Sequence, residues 1–128
     1  MVQFAASRPI FVQISEYIAI DIMTGTYPAG SNLPSVRDLA ATFGVNPNTM
    51  QRALSDLESQ GLIDTHRTAG RTVVEDPSLI TEAKRQLVEQ RVREFIEGME
   101  VFGYRPDDLA DIIRRSSKEG ERNEHSGS

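Results

Sequence analysis

Five hydrogen-bonding side chains lie close together near the middle of the sequence. They are Asn46, Asn48, Thr49, Gln51 and Arg52. Asn and Gln amides can pair through two hydrogen bonds with an adenine edge, and an Arg guanidinium can pair in the same way with guanine. A carboxylate here would repel phosphates, and none occurs between Asn46 and Ser55. The cluster therefore indicates a surface that recognises DNA bases, and the alternative is an ordinary solvated helix face.

Residues suited to catalysis or to metal binding are scarce. The 128 residues include no cysteine and only two histidines, His66 and His125, so disulfides, thiolate metal sites and Cys–His nucleophile pairs are not available. The adjacent carboxylates Asp107 and Asp108 stand at a predicted helix start, where neighbours in sequence do not converge on one substrate. A glycine-rich phosphate loop is also absent from the sequence. We therefore expect no enzyme activity, no metal and no cofactor.

The cluster stands at the start of a predicted helix that closely follows another helix. Ser35 is a suitable N-cap for the first of these helices, and Gly44 ends it. Asn46 caps the second, and Pro47 fits its first position because the N–H that proline lacks would be unpaired there. Two helices joined by a tight turn that contains glycine form a helix-turn-helix. The buried stripe of the second helix has the spacing i, i+3, i+4, i+7 and comprises Met50, Ala53, Leu54 and Leu57.

The surrounding elements complete a winged helix. An amphipathic helix from Pro9 to just before Gly25 precedes the pair, and two short strands, 62–66 and 71–74, follow it around a turn. The predicted fold is therefore mostly α with a small β-hairpin. A long helix over 79–102 and a short last helix from Pro106 come next. We expect a winged helix-turn-helix domain at 7–76, a helical dimerisation region at 77–116 and a disordered polar tail at 117–128.

The charge balance restricts how such a domain could meet DNA. The net charge is −5 at pH 7, which by itself argues against a nucleic-acid partner. The segment from Thr65 to Val74 nevertheless contains Arg67 and Arg71 and no acidic residue. A basic surface must then be small and must be assembled by the fold. The rival interpretation is a winged helix that serves protein–protein contact.

Two stretches carry a family resemblance, PAGSNLPSVRDLA at 28–40 and VNPNTMQRAL at 45–54. With the hairpin that follows, they resemble the GntR-type bacterial transcription regulators, over about 7–76. Because two helices and no large effector domain come after the winged helix, the chain is similar to the short YtrA-like branch. The resemblance implies a cytoplasmic homodimeric repressor that binds a palindromic operator in double-stranded DNA, often that of a transporter operon or of its own operon. It also allows a small-molecule effector.

The resemblance further implies which residues contact DNA. Arg37 belongs to the PSVR motif and lies beside Ser35. The wing tip RTAGR departs from the family's usual Arg-Gly-x-Gly-Thr, because Thr68 replaces the first glycine and Arg71 the threonine. The expected DNA-binding set is Ser35, Arg37, Asn46, Asn48, Thr49, Gln51, Arg52, Arg67, Gly70 and Arg71.

Three of these assignments have a purely structural alternative, and so has His66. Arg37 could pair with Asp38, and Arg52 could pair with Asp56, its neighbour at i+4. Asn46 is a helix cap first. His66 is interpreted as an ordinary strand residue rather than as a pH switch.

The long helix carries more apolar side chains than a three-helix domain needs, and a two-fold dimer would use them. An effector pocket is the alternative use. Neither an apolar run long enough to span a membrane nor a signal peptide is visible. The expected dimerisation residues are Leu87, Phe95, Ile96, Met99, Phe102, Leu109, Ile112 and Ile113.

Overall fold

The structure of the chain, a computed structural model, describes residues 3–68 and 70–126, with side chains described to residue 120. Its elements confirm a mostly helical fold with one antiparallel hairpin. None of the described helices is long and apolar enough to cross a membrane. In chain order the elements are α1 (Ile10–Met23), α2 (Val36–Phe43), α3 (Pro47–Ser59), β1 (Ile63–His66), β2 (Gly70–Val73), α4 (Pro77–Glu100) and α5 (Pro106–Ser126).

One hydrophobic core holds the first three helices and the hairpin together. Helix α3 packs against both α1 and α2, and its C-terminal part contacts β1. The apolar stripe predicted for α3 is fully buried. Burial of such side chains is the main favourable term in folding, so this core fixes which face of α3 remains in solvent. The largest buried side chains of the core are Ile14, Ile18, Ile22, Met50, Leu54, Leu57, Leu62, Ile63 and Val73.

The turn between α2 and α3 has the predicted capping. The Ser35 hydroxyl accepts a hydrogen bond from the backbone N–H of Asp38 at 3.1 Å. Gly44 ends α2 in the left-handed region, with φ of 67°, where a side chain would be strained. The side chain of Asn46 caps α3, and Pro47 occupies its first turn. Local sequence therefore sets the angle at which α3 leaves α2.

The hairpin is extended by a short third segment. Strands β1 and β2 pair in antiparallel register, with Thr65 opposite Arg71 and His66 opposite Gly70. Asn32 forms a β-bridge with Thr72. Because this segment lies between α1 and α2, it ties the hairpin to the helical core.

The second half of the chain differs from the prediction at three helix ends, one of which is the end of α4 at Glu100 rather than at Phe102. Helix α4 begins at Pro77 rather than near Leu79, since the Asp76 carboxylate accepts hydrogen bonds from the hydroxyl and the backbone N–H of Ser78. These two hydrogen bonds hold the pKa of Asp76 below its ordinary value, and the bond from the Ser78 hydroxyl has the larger effect.

Helix α5 continues to Ser126, through the tail that was expected to be disordered. Lys118 and Glu119 at the start of that tail are good helix formers.

The chain divides into two compact units, 1–85 and 86–128, and the division falls inside α4. The first unit includes the start of α4 because Ile80 and Ala83 pack against the winged-helix core. In the second unit Leu109 is buried, at 5% exposure. The break at Glu75-Asp76-Pro77 predicts a domain boundary at residue 77, which is the residue where α4 begins.

Candidate nucleic-acid interface

The N-terminal half of α3 presents a polar face to solvent. Asn48, Gln51 and Arg52 are exposed and Thr49 is half-buried, whereas Met50 between them is fully buried. Helical periodicity places these polar residues opposite the buried stripe. The predicted cluster is therefore one continuous, acid-free surface at the start of a helix.

Asn46 uses only part of its side chain as a helix cap. Its Oδ1 accepts the backbone N–H of Asn48 at 2.7 Å. Within the described part of the chain, the Nδ2 amide group of Asn46 donates to no protein atom. One side chain can thus satisfy the helix end and still present two N–H donors.

Arg52 does not pair with Asp56, its expected neighbour at i+4. Asp56 Oδ2 instead accepts hydrogen bonds from the Ser15 hydroxyl at 2.7 Å and from Gln60 Nε2 at 2.8 Å. The guanidinium of Arg52 lies over the ring of Phe11, with Cζ 4.1 Å from the ring centroid. Neither the Phe11 contact nor the role of Ser15 was predicted, because both join α3 to a residue about forty positions earlier in the sequence.

The start of α2 presents a second polar group. Arg37 is exposed, and no hydrogen bond or ion pair to another described residue engages its guanidinium, so the alternative pairing with Asp38 does not occur. Ser35 is also exposed, and its oxygen is occupied by the cap. Its hydroxyl hydrogen remains a donor that a phosphate oxygen could accept.

The hairpin places its two arginines differently. Arg67 follows β1 directly and is exposed, whereas Arg71 is half-buried in β2, and its Nε is buried without a hydrogen-bond partner in the described chain. Gly70 has φ of 75°, a conformation that glycine adopts without strain. Ala69, at the tip between them, lies outside the described residues.

His66 is linked across the hairpin. Its Nε2 lies 2.8 Å from the Thr72 hydroxyl. On the same strand, Thr65 donates a hydrogen bond to Glu58 at 3.0 Å. These two contacts give both strand residues a structural use in bracing the wing, and they agree with the interpretation of His66 as a strand residue.

The apolar side chains of the second unit differ in their exposure to solvent. Of the predicted dimerisation residues, Phe95, Phe102 and Ile113 are exposed, at 46%, 71% and 56%. Four others, Leu87, Ile96, Met99 and Ile112, are half-buried, and Leu109 is buried. Four exposed apolar residues were not in the predicted set, namely Val88, Val92, Val101 and Tyr104. The sequence held a signal for Val88 and Val92, because Val88, Val92, Phe95, Met99 and Phe102 recur with alternating spacings of four and three. It held no such signal for Val101 and Tyr104.

Three helices, a tight capped turn with an acid-free recognition face, and a hairpin braced on the core define a winged helix-turn-helix protein of the DNA-binding class. The sequence also matches a protein-family model, "Bacterial regulatory proteins, gntR family", over residues 11–73. The chain belongs to the GntR family of transcription regulators, which confirms the resemblance seen in its sequence.

Relatives of similar length support this assignment. The HTH-type transcriptional regulator YhcF of Bacillus subtilis is 31% identical over 118 residues, which cover 92% of this chain and 98% of the relative. The HTH-type transcriptional repressor YtrA of the same organism is 30% identical over 123 residues, covering 93% and 95%.

Solved structures agree with the fold. A GntR family transcriptional regulator from Listeria monocytogenes has 38% identity and a TM-score of 0.81, and the match covers 88% of this chain and 98% of that one. The AraR DNA-binding domain, solved in complex with operator ORX1, has 30% identity and a TM-score of 0.53 over 58% of this chain and 93% of that one.

Proposed function

We propose that the chain is a homodimeric repressor that binds a palindromic operator in double-stranded DNA. The observation that carries this proposal is the exposed, acid-free N-terminal face of α3, held by its caps on a helix-turn-helix. In this motif the start of the second helix enters the major groove. The repressor named YtrA and the operator complex of AraR support the same function by analogy.

Base recognition falls to the side chains that α3 exposes. Asn48 and Gln51 offer amides suited to adenine, and Arg52 offers a guanidinium suited to guanine. Each well-formed two-bond contact of this kind contributes about 1–3 kcal/mol of discrimination against a wrong base. These residues would set which operator is bound.

Phosphate contacts would orient the domain on the duplex. Arg37 and Ser35 at the start of α2, Thr49 and Asn46 at the start of α3, and Arg67 in the wing are the donors for this role. Because Arg71 is half-buried, we expect it to contribute less to phosphate binding than Arg67. Such contacts raise affinity for every sequence and make it fall with salt.

Dimerisation would use an exposed apolar seam, defined as Val88, Val92, Phe95 and Met99 of α4 together with Phe102, which lies two residues beyond the end of that helix. Alternating spacings of four and three are those of a coiled coil, in which apolar side chains interlock with a second helix. Four of the five are about half exposed or more, so a second copy has apolar area to cover. A two-fold dimer would present two copies of α3 to two half-sites.

The domain roles follow from this arrangement. Residues 7–76 would bind DNA, residues 77–116 would dimerise, and a small-molecule effector would act by changing the angle between the two winged domains. We place the protein in the cytoplasm, where its operator would be.

Selection of bound duplexes from a pool of random double-stranded DNA tests the proposal and identifies the operator in the same experiment. We expect enrichment of a palindrome whose two halves are one helical turn or a multiple apart. We also expect the selected duplex to bind about a thousandfold or more tighter than random DNA, with steep salt dependence. Failure of any sequence to enrich would contradict sequence-specific repression and favour a protein-contact role for the winged helix.

A further inference from the structure

We propose that Phe11 is a positioning residue for DNA recognition, because its ring holds the Arg52 guanidinium ready to donate to an acceptor on DNA. The inference rests on the proposed function and adds a residue that lies outside the helix-turn-helix itself. Phe11 belongs to α1, and it was not among the expected DNA-binding residues.

The contact has the geometry of a cation–π pair. Arg52 Cζ is 4.1 Å from the Phe11 ring centroid, well inside the distance of about 6 Å at which a guanidinium is attracted to an aromatic face. Phe11 is half-buried and packs against the core, so its ring has a fixed position. Arg52 is exposed, which leaves its N–H groups facing solvent.

The acid one turn further along α3 does not compete for this guanidinium. Asp56, the acid one turn along α3, is occupied by Ser15 and Gln60. No ion pair or hydrogen bond involves Arg52 in the part of the chain that the structure describes. The contact with the ring therefore orders the cation and leaves its charge unpaired, whereas an ion pair would neutralise that charge.

Ordering matters because a free arginine loses much rotamer entropy when it is fixed. A planar guanidinium that already lies on a ring has lost part of that freedom before DNA arrives, so the contact costs less to form. Two kinds of acceptor fit the same donor: the N7 and O6 atoms of a guanine, and the oxygens of a phosphate.

A double-mutant cycle on DNA binding tests the proposal, with the selected operator and a random duplex of equal length. Phe11→Leu keeps an apolar side chain and removes the ring, and we expect it to weaken operator binding by about three- to tenfold. Arg52→Ala should weaken it by about tenfold or more. The double variant should bind within about twofold of Arg52→Ala alone, since the ring then has nothing to position.

Two controls separate positioning from general loss of structure. Phe11→Tyr retains a ring and should bind like wild type. Phe4→Leu removes another half-buried ring that packs on the core and meets Tyr17 edge-to-face. It should leave operator affinity within about twofold.

The outcomes are distinct. A coupled loss confined to the operator supports positioning toward a base, and a coupled loss on both duplexes supports positioning toward a phosphate. Additive effects of Phe11→Leu and Arg52→Ala, or an equal loss in Phe4→Leu, would overturn the role of Phe11 while DNA binding stands. Absence of DNA binding by the wild-type chain would overturn both this inference and the proposed function.

Discussion

Asp56 shows how a contact with a residue distant in sequence can leave a neighbouring side chain, here Arg52, without an ion pair. Its position four residues after Arg52 suggests an ion pair on the helix surface. The hydroxyl of Ser15, which is only 1% exposed, instead binds this carboxylate and fastens α1 to α3. Sequence spacing alone could not predict this choice, since it depends on how the two helices pack.

Ser15→Ala should destabilise the fold. The substitution removes a hydrogen bond to a charged group and leaves part of a half-buried carboxylate unpaired, so we expect a loss of about 1–3 kcal/mol in the free energy of unfolding. Urea denaturation of the variant and wild type measures it. Ser55→Ala, an exposed change on α3, is the matched control and should stay within about 0.5 kcal/mol. Equal stability of the two variants would show that the Ser15 contact is not formed in solution.

Local sequence predicts most of the helix-turn-helix, because its ends depend on short-range hydrogen bonds. Ser35, Gly44 and Asn46 occupy the expected capping positions, and the polar face of α3 follows from its apolar stripe. The stack on Phe11 and the half-burial of Arg71 were not predictable in this way, since both depend on tertiary packing. The start of α4 also differs from the prediction, because the Asp76 carboxylate accepts the hydrogen bonds of Ser78 and the helix begins at Pro77.

The two roles proposed for Asn46 can be separated at the level of the helix. Asn46→Asp keeps a cap of similar strength, so the unfolding free energy should change by less than about 0.5 kcal/mol. The new carboxylate would repel phosphates, and operator affinity should therefore fall by about tenfold. Thermal unfolding and DNA titration of the same samples measure the two effects.

Asn46→Ala is the complementary variant. It removes the cap and should cost about 1 kcal/mol of stability. If Asn46→Asp binds the operator as tightly as wild type, the start of α3 does not lie near the DNA backbone, and the proposed docking is wrong.

At the scale of the whole molecule, the apolar seam is the feature of the second unit that suggests dimerisation. A chain of 128 residues with one small winged-helix core leaves several large apolar side chains of the second unit in solvent. Contiguous exposed apolar surface of this kind marks an interaction site. We propose a second copy as the occupant, which would bring two recognition helices to the two halves of a palindrome.

Phe95→Glu should convert the dimer to a monomer. A charge at the centre of the seam would be desolvated in the dimer without a partner, at a cost of several kcal/mol. Sedimentation at several protein concentrations measures the mass. Leu79→Glu is the matched control, because Leu79 is similarly exposed, at 49%, on the same helix and out of register with the seam. A monomeric wild type, or a dimeric Phe95→Glu, would exclude the seam as the interface.

The most direct test of the account compares Gln51→Ala with Arg67→Ala on the operator and on random DNA of equal length. We predict that Gln51→Ala lowers operator affinity by about 1–3 kcal/mol with little effect on random DNA, because Gln51 is proposed to contact a base. Arg67→Ala should weaken the binding of both duplexes alike and reduce the salt slope by about one, because Arg67 is proposed to contact a phosphate. If Gln51→Ala leaves the ratio of the two affinities unchanged, the exposed face of α3 does not recognise the operator sequence, and the central claim is contradicted.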